Sequence, residues 1–254
     1  MSSHPKMTSL PAVVDCAEWD WKPADSMNGF WIGTDKQGNR WLTKLRGSFC
    51  AYREIVFARI AQELGWSIQS SSFICLDSRS AKMLGRAESE VHAVHWYMKE
   101  HQAMPCSLGC PLVPLRNGIP TNRFIEKLSS SQIGNIRDLL RCEIAIYIFG
   151  ALEPCGYFYT PEHDFVIIDS ELVFSSGPRP INESPLLKNS DGTISDESVI
   201  LALEVCAQVS ALSEDMVSRI IAIPNEIHID ENWSISDIVR KGIESAKDYL
   251  RSQT

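Results

Sequence analysis

The sequence predicts an α+β fold, with a small sheet and one helix in the N-terminal half and a mostly helical C-terminal half. Three observations carry that reading. Strand-like runs crowd the first hundred residues around a single helical stretch. Apolar residues at helical spacing dominate after Ser129, and a proline-rich stretch, His101 to Asn122, separates the two textures. A chain of 254 residues can bury a sizeable core, as one large domain or as two closely packed lobes, here residues 1–100 and 101–254.

Taken in order, Asp15 to Asn28 mixes aromatics with Pro, Asp, Ser and Asn, which reads as a short strand or arm ending in a loop. Phe30–Thr34 and Arg40–Leu45 are β-rich runs joined by Asp35-Lys36-Gln37-Gly38-Asn39. Gly38 and Asn39 tolerate positive φ, so the pair is a predicted hairpin. Tyr52–Leu64 is a predicted amphipathic helix with Ile55, Ala58, Ile60, Ala61 and Leu64 on its apolar face, stopped by Gly65. Ser72–Leu76 and Val91–Met98 are further strands, linked by a polar connection. In the second half, Ser129–Leu152 is a predicted helix capped by serines and stopped by Pro154. Tyr157–Tyr159 and Phe165–Ile168 are short strands. Ser175–Asn189 is a loop, and helices follow at about Ser195–Leu212, Ser213–Ile223 and Ser234–Ser252.

Composition narrows the function classes. Net charge is -8, so the electrostatic footprint of nonspecific nucleic-acid binding is missing, and anionic membrane surfaces are disfavoured. No apolar run approaches the roughly 20 residues that span a bilayer, and the N-terminus has no basic region leading into a long apolar core. Eight scattered cysteines in mostly apolar surroundings fit a reducing compartment. A cytoplasmic protein is expected. Cys106 and Cys110 have no matching second pair, so a zinc site there is disfavoured. His92 and His95 fall on opposite sides of one strand and read as half-buried strand residues unable to share a metal. Trp19, Trp21, Trp31 and Trp41 cluster early, as packing residues do.

The chemistry-bearing pattern is an ordered set. Lys44 lies in a strand, Glu54 in the helix just after it, and Asp169 ends the apolar run FVIID. The plain structural alternatives are a lysine with its head in water, a carboxylate favouring a helix N-terminus and a turn-starting Asp. Yet phosphoryl transfer from ATP needs a cation on the phosphates, an anion holding that cation, and a carboxylate for Mg²⁺, which prefers hard oxygen ligands. Lys44, Glu54 and Asp169 supply those types in that order. The loop Ala24-Asp25-Ser26-Met27-Asn28-Gly29 precedes the lysine hairpin, where backbone amides of Ser26, Asn28 and Gly29 could cradle phosphates. Glu171 shares the side of Asp169 and is a second candidate metal ligand.

On these residues the chain resembles the HipA-like kinases, relatives of the phosphatidylinositol 3/4-kinase branch of the kinase fold. The likeness rests on NRWLTKL around Lys44, YREIVFARIAQELGW around Glu54 and VIIDSELVF around Asp169, and spans roughly Gly29 to Phe174. It implies a bilobal ATP-binding fold with a hinge near Met98–Glu100. It also implies, by analogy, a bacterial toxin or regulatory kinase that uses ATP and Mg²⁺ on a protein hydroxyl. Here the chain departs from the family. FGALEPCGYFYT, ahead of the first short strand, has no Asp, and Cys155 or Gly156 stands where a metal-binding Asn is expected. Glu153 is the carboxylate available as a base. The alternative is therefore a pseudokinase that contacts a regulatory protein partner; a small-molecule or lipid phosphotransferase on the same fold is a third reading.

Overall fold

The computed structural model describes residues 10–24, 30–66, 70–96, 136–151, 156–159, 165–169, 173–180, 193, 196–229 and 234–253, with the backbone alone at 156–159 and 165–169. Within these residues the chain is α+β, with eight strands and six helices. The strands are β1 (Val13–Asp15), β2 (Asp20–Pro23), β3 (Phe30–Thr34), β4 (Arg40–Lys44), β5 (Ser71–Cys75), β6 (Val91–Trp96), β7 (Gly156–Tyr159) and β8 (Phe165–Asp169). The helices are α1 (Ser48–Glu63), α2 (Ser78–Leu84), α3 (Ile136–Ile148), α4 (Asp196–Ser210), α5 (Glu214–Ile220) and α6 (Ile235–Ser252).

Six strands form one mixed sheet in the order β1-β5-β6-β4-β3-β2, and β7 pairs with β8 in a separate two-stranded ladder. Only the β1–β5 pair is parallel; the other neighbours in the large sheet run antiparallel. The arm expected at Asp15–Asn28 holds the edge strand β2, with β1 at the opposite edge ending at its first residue, and the sheet is wider than the four strands expected. The connection after β5 also holds a helix, α2. Asp77 caps it by accepting from the Ser80 N–H at 2.7 Å, and Gly85 ends it in the left-handed region at φ 63°. The β3–β4 hairpin forms as expected, with Gly38 at φ 81° and the Asp35 carboxylate accepting from the Gln37 and Asn39 backbones.

Register sorts the side chains. Directly opposed residues share a face, so Phe30, Lys44, Ala93 and Phe73 lie on one side with Ile32, Leu42, His95 and Ser71. Helix α1 packs on this side: Tyr52, Ile55 and Phe57 join Phe73 and Val91 in a core that continues into α3, α4, α5 and α6. The other side carries Trp21, Trp41, Ile74 and Val94, closed by α2 and Trp19. Gly33 is required there, because a Cβ would sit 2.3 Å from the Trp19 ring.

Helix α1 departs from the amphipathic expectation. Nine of its 16 residues are buried, including Glu54, because sheet and C-terminal helices enclose it from two sides. Polar ties reinforce the second side. The Tyr52 hydroxyl donates to the Ile221 carbonyl at 2.6 Å, and Arg59 Nη1 donates to the carbonyls of Ile220 and Ala222. These capture backbone acceptors that the end of α5 leaves without helical partners. Helix α3 stops at Ile148 rather than at Pro154. Gly150 turns the chain at φ 72°, and a Cβ there would meet the Ser176 carbonyl at 2.2 Å. Among the described residues no helix is long and apolar enough to cross a membrane.

Candidate functional site

Lys44 closes β4 at 3% exposure, so its ammonium is not the solvated head of an edge residue. Its Nζ lies 5.4 Å from the ring centroid of Phe30, the residue directly opposite it on β3. Phe30 is also the first residue of β3, and the Ala24 N–H donates to the Phe30 carbonyl at 3.0 Å. Ala24 and Phe30, which flank positions 25–29, therefore meet at the lysine's end of the sheet. Ser26, Asn28 and Gly29 themselves lie outside the described residues, as do Met98, Glu153 and Glu171.

Glu54 is 2% exposed and sits well inside α1, since that helix starts at Ser48 and not near Tyr52. A dipole-stabilised first-turn carboxylate is therefore not its role. Its polar partner is also not the lysine expected from sequence. Glu54 Oε1 lies 2.9 Å from Nε2 of His95 on β6. A carboxylate oxygen can only accept, so Nε2 carries the proton in this pair. On the other side of the ring, Nδ1 is 3.0 Å from the Ser71 hydroxyl and 3.3 Å from the Ser70 carbonyl. The physical reason is register: His95 opposes Leu42 and Ser71, which puts it on the α1 side of the sheet directly beneath the helix. Removing one member would strand a buried polar group, at a cost of about 1–3 kcal/mol.

The two strand histidines do face opposite sides, but neither is half-buried: His92 is 0% and His95 3% exposed. His92 accepts from the Gly47 N–H at 3.1 Å through Nδ1 and so pins the turn between β4 and α1. Burial outweighs the nearby Glu90 carboxylate and pulls its pKa down to about 4, leaving a neutral ring.

Asp169 ends β8 opposite Gly156, beside an irregularity in the ladder, and its side chain lies outside the described atoms. The chain that follows it returns to α1: Arg53 Nη1, one residue before Glu54, donates to the Ser175 hydroxyl at 3.0 Å. Between them Phe174 adopts a positive φ of 64° while fully buried against Phe149. Strain of that kind marks a segment held by its surroundings. Among the described residues no three His, Cys, Asp or Glu side chains gather to hold a metal ion, and Cys16, Cys50, Cys75, Cys142 and Cys206 are in no disulfide. Cys106 and Cys110 lie outside the described residues.

His95 is the residue that sequence reasoning placed in the wrong class. Alternation in VHAVHW shows only that it and His92 diverge; its pairing with Glu54 is set by a contact across 41 residues.

No protein-family model and no curated protein sequence matches the chain. Among solved structures it is similar to the Helicobacter pylori proinflammatory kinase CtkA, with a TM-score of 0.56, 9% identity, and coverage of 94% of this chain and 98% of that one. An aminoglycoside phosphotransferase from Alicyclobacillus acidocaldarius aligns over 91% of each chain at 14% identity, with a TM-score of 0.28 that carries no argument. At such identity the first likeness speaks to architecture alone. The chain has an α+β, kinase-like fold.

Proposed function

We propose that the chain is an ATP-dependent phosphotransferase of the HipA-like kind, transferring the γ-phosphoryl group to a protein hydroxyl. The observation that carries this reading is Lys44: an ammonium held at 3% exposure, at the end of the sheet where Ala24 and Phe30 meet. Burying such a charge is costly, and perturbed, buried ionisable groups concentrate at functional sites. Polyphosphate is an anion that this position fits.

In this reading Lys44 holds the α- and β-phosphates, with Ser26, Asn28 and Gly29 supplying the phosphate loop and Met98 the hinge contact. Glu54 orients Lys44 from α1. Asp169 and Glu171 hold Mg²⁺, which neutralises the charge developing on the transferred group. Glu153 accepts the proton of the substrate hydroxyl. The cleft lies where residues 1–100 meet residues 101–254, and the partner is a protein substrate.

The test is phosphate transfer from radiolabelled ATP to the chain itself or to a cell extract. Transfer that Asp169→Ala abolishes supports the reading; no transfer by wild type overturns it. A second reading is a pseudokinase that serves as a regulatory module for a protein partner, favoured by LEPC at 152–155, which offers no Asp, and by the engagement of Glu54 with His95. A ligand that binds the native state raises its melting temperature by mass action. A rise with Mg-ATP that Lys44→Met removes, together with absent transfer, singles out a nucleotide-binding pseudokinase. No rise at all leaves a module that does not use nucleotide.

A further inference from the structure

We infer that His95 is a positioning residue for the nucleotide site, holding Glu54 so that its second carboxylate oxygen serves Lys44 when a nucleoside triphosphate is bound. This rests on the nucleotide-binding part of the function proposed above. Lys44 opposes Ala93 on β6, and His95 lies two residues further along the same strand. On one face of an antiparallel pair, such diagonal neighbours are about 7–8 Å apart, within reach of long side chains. Both therefore address the space beneath α1 from which Glu54 descends.

A glutamate could serve two bases there in either of two ways. It could leave His95 for Lys44, or it could keep His95 on Oε1 and offer Oε2 to the ammonium. Leaving would strand the imidazole N–H at a site 3% exposed, whereas sharing breaks nothing. The Glu54–His95 bond is also backed from behind by Ser71, the cross-strand neighbour of His95, whose hydroxyl can donate to Nδ1 at 3.0 Å. Such backing fixes the ring and, through it, the rotamer of the carboxylate, as outer hydrogen bonds orient groups at built sites. Sharing is the arrangement these contacts favour.

Mg-ATP affinity of the full chain tests this, measured by calorimetry on wild type, His95→Phe, His95→Gln, Glu54→Gln and the double variant His95→Phe/Glu54→Gln. His95→Phe keeps a planar ring and removes the donor; it should weaken binding about tenfold, the scale of one charge-assisted hydrogen bond. His95→Gln, whose amide still donates, should recover most of that loss, which a purely space-filling role would not produce. The double variant should bind no worse than the weaker single, because both changes break one link. It also leaves no stranded carboxylate, so it stays informative if His95→Phe fails to fold. If wild type binds and His95→Phe or the double variant binds equally well, or if the two losses add, the inference falls while the functional reading stands. If wild type does not bind Mg-ATP, both fall.

Discussion

The two faces of the six-stranded sheet solve burial in different ways. On the α1 side three ionisable groups, Lys44, Glu54 and His95, are each at most 3% exposed. Two of them are paired directly, Glu54 with His95, whose Nδ1 lies 3.0 Å from the Ser71 hydroxyl on β5. On the opposite side the sheet is closed by aromatics. Trp19 stacks on Trp41 with ring centroids 5.3 Å apart and tilts against Trp21 at 5.4 Å. Two indole N–H groups there find partners: Trp21 Nε1 donates to Ser80 and Trp41 Nε1 to Asp35. Its one buried histidine, His92, is kept uncharged. Burying charge costs far more than burying rings. The α1 side thus holds the buried ionisable groups within the larger apolar core, while the other side carries a smaller, aromatic one.

Substitutions on each side can break that contrast. The largest effect is expected from Trp19→Ala, which removes the ring covering Gly33 and both indole contacts. Stability should fall by about 3–5 kcal/mol, read from urea unfolding. If the loss is below 1 kcal/mol, the aromatic side is not a true core. The effect should also add to that of Glu54→Gln, since the two act on opposite faces without shared partners.

Next comes His92. Its folded pKa of about 4 lies below the unfolded value of about 6.5, so the unfolded chain binds the extra proton between those limits. Its contribution is therefore fully present above pH 6.5 and lost as pH falls towards 4, a decline of about 3 kcal/mol. His92→Phe should remove that one-proton slope from a plot of unfolding free energy against pH. A slope that persists in the variant would assign it to other groups.

Arg59→Ala should cost about 1–2 kcal/mol, because two carbonyls at the end of α5 lose their donor. Ser80→Ala, which takes away the acceptor for Trp21 Nε1, should cost about 1 kcal/mol. An Arg59→Ala loss smaller than that of Ser80→Ala would mean that α1 leans on its sheet far more than on the C-terminal helices.

Much of the architecture was legible because it is local. Gly38, Gly65 and the alternation around Lys44 state a hairpin and a helix stop within a few residues. The helices at 196–210, 214–220 and 235–252 follow from caps and spacing. What escaped was nonlocal or brief. The three residues of β1 are too few to show a pattern, and their parallel partner lies some 60 residues away. Helix α2 has seven residues in a polar setting. At the candidate site, residue types and order were readable, but the partner of Glu54 was not: a carboxylate in a helix does not reveal which of two bases on the sheet below lies nearer.

Enclosure of α1 has a consequence for how the chain comes apart. Only Gln62 and Glu63 in that helix face solvent freely, so it has no outer side along which to peel. Heating should therefore give a single calorimetric transition in which sheet and helical half melt together, and native-state amide exchange in α1 should require global opening.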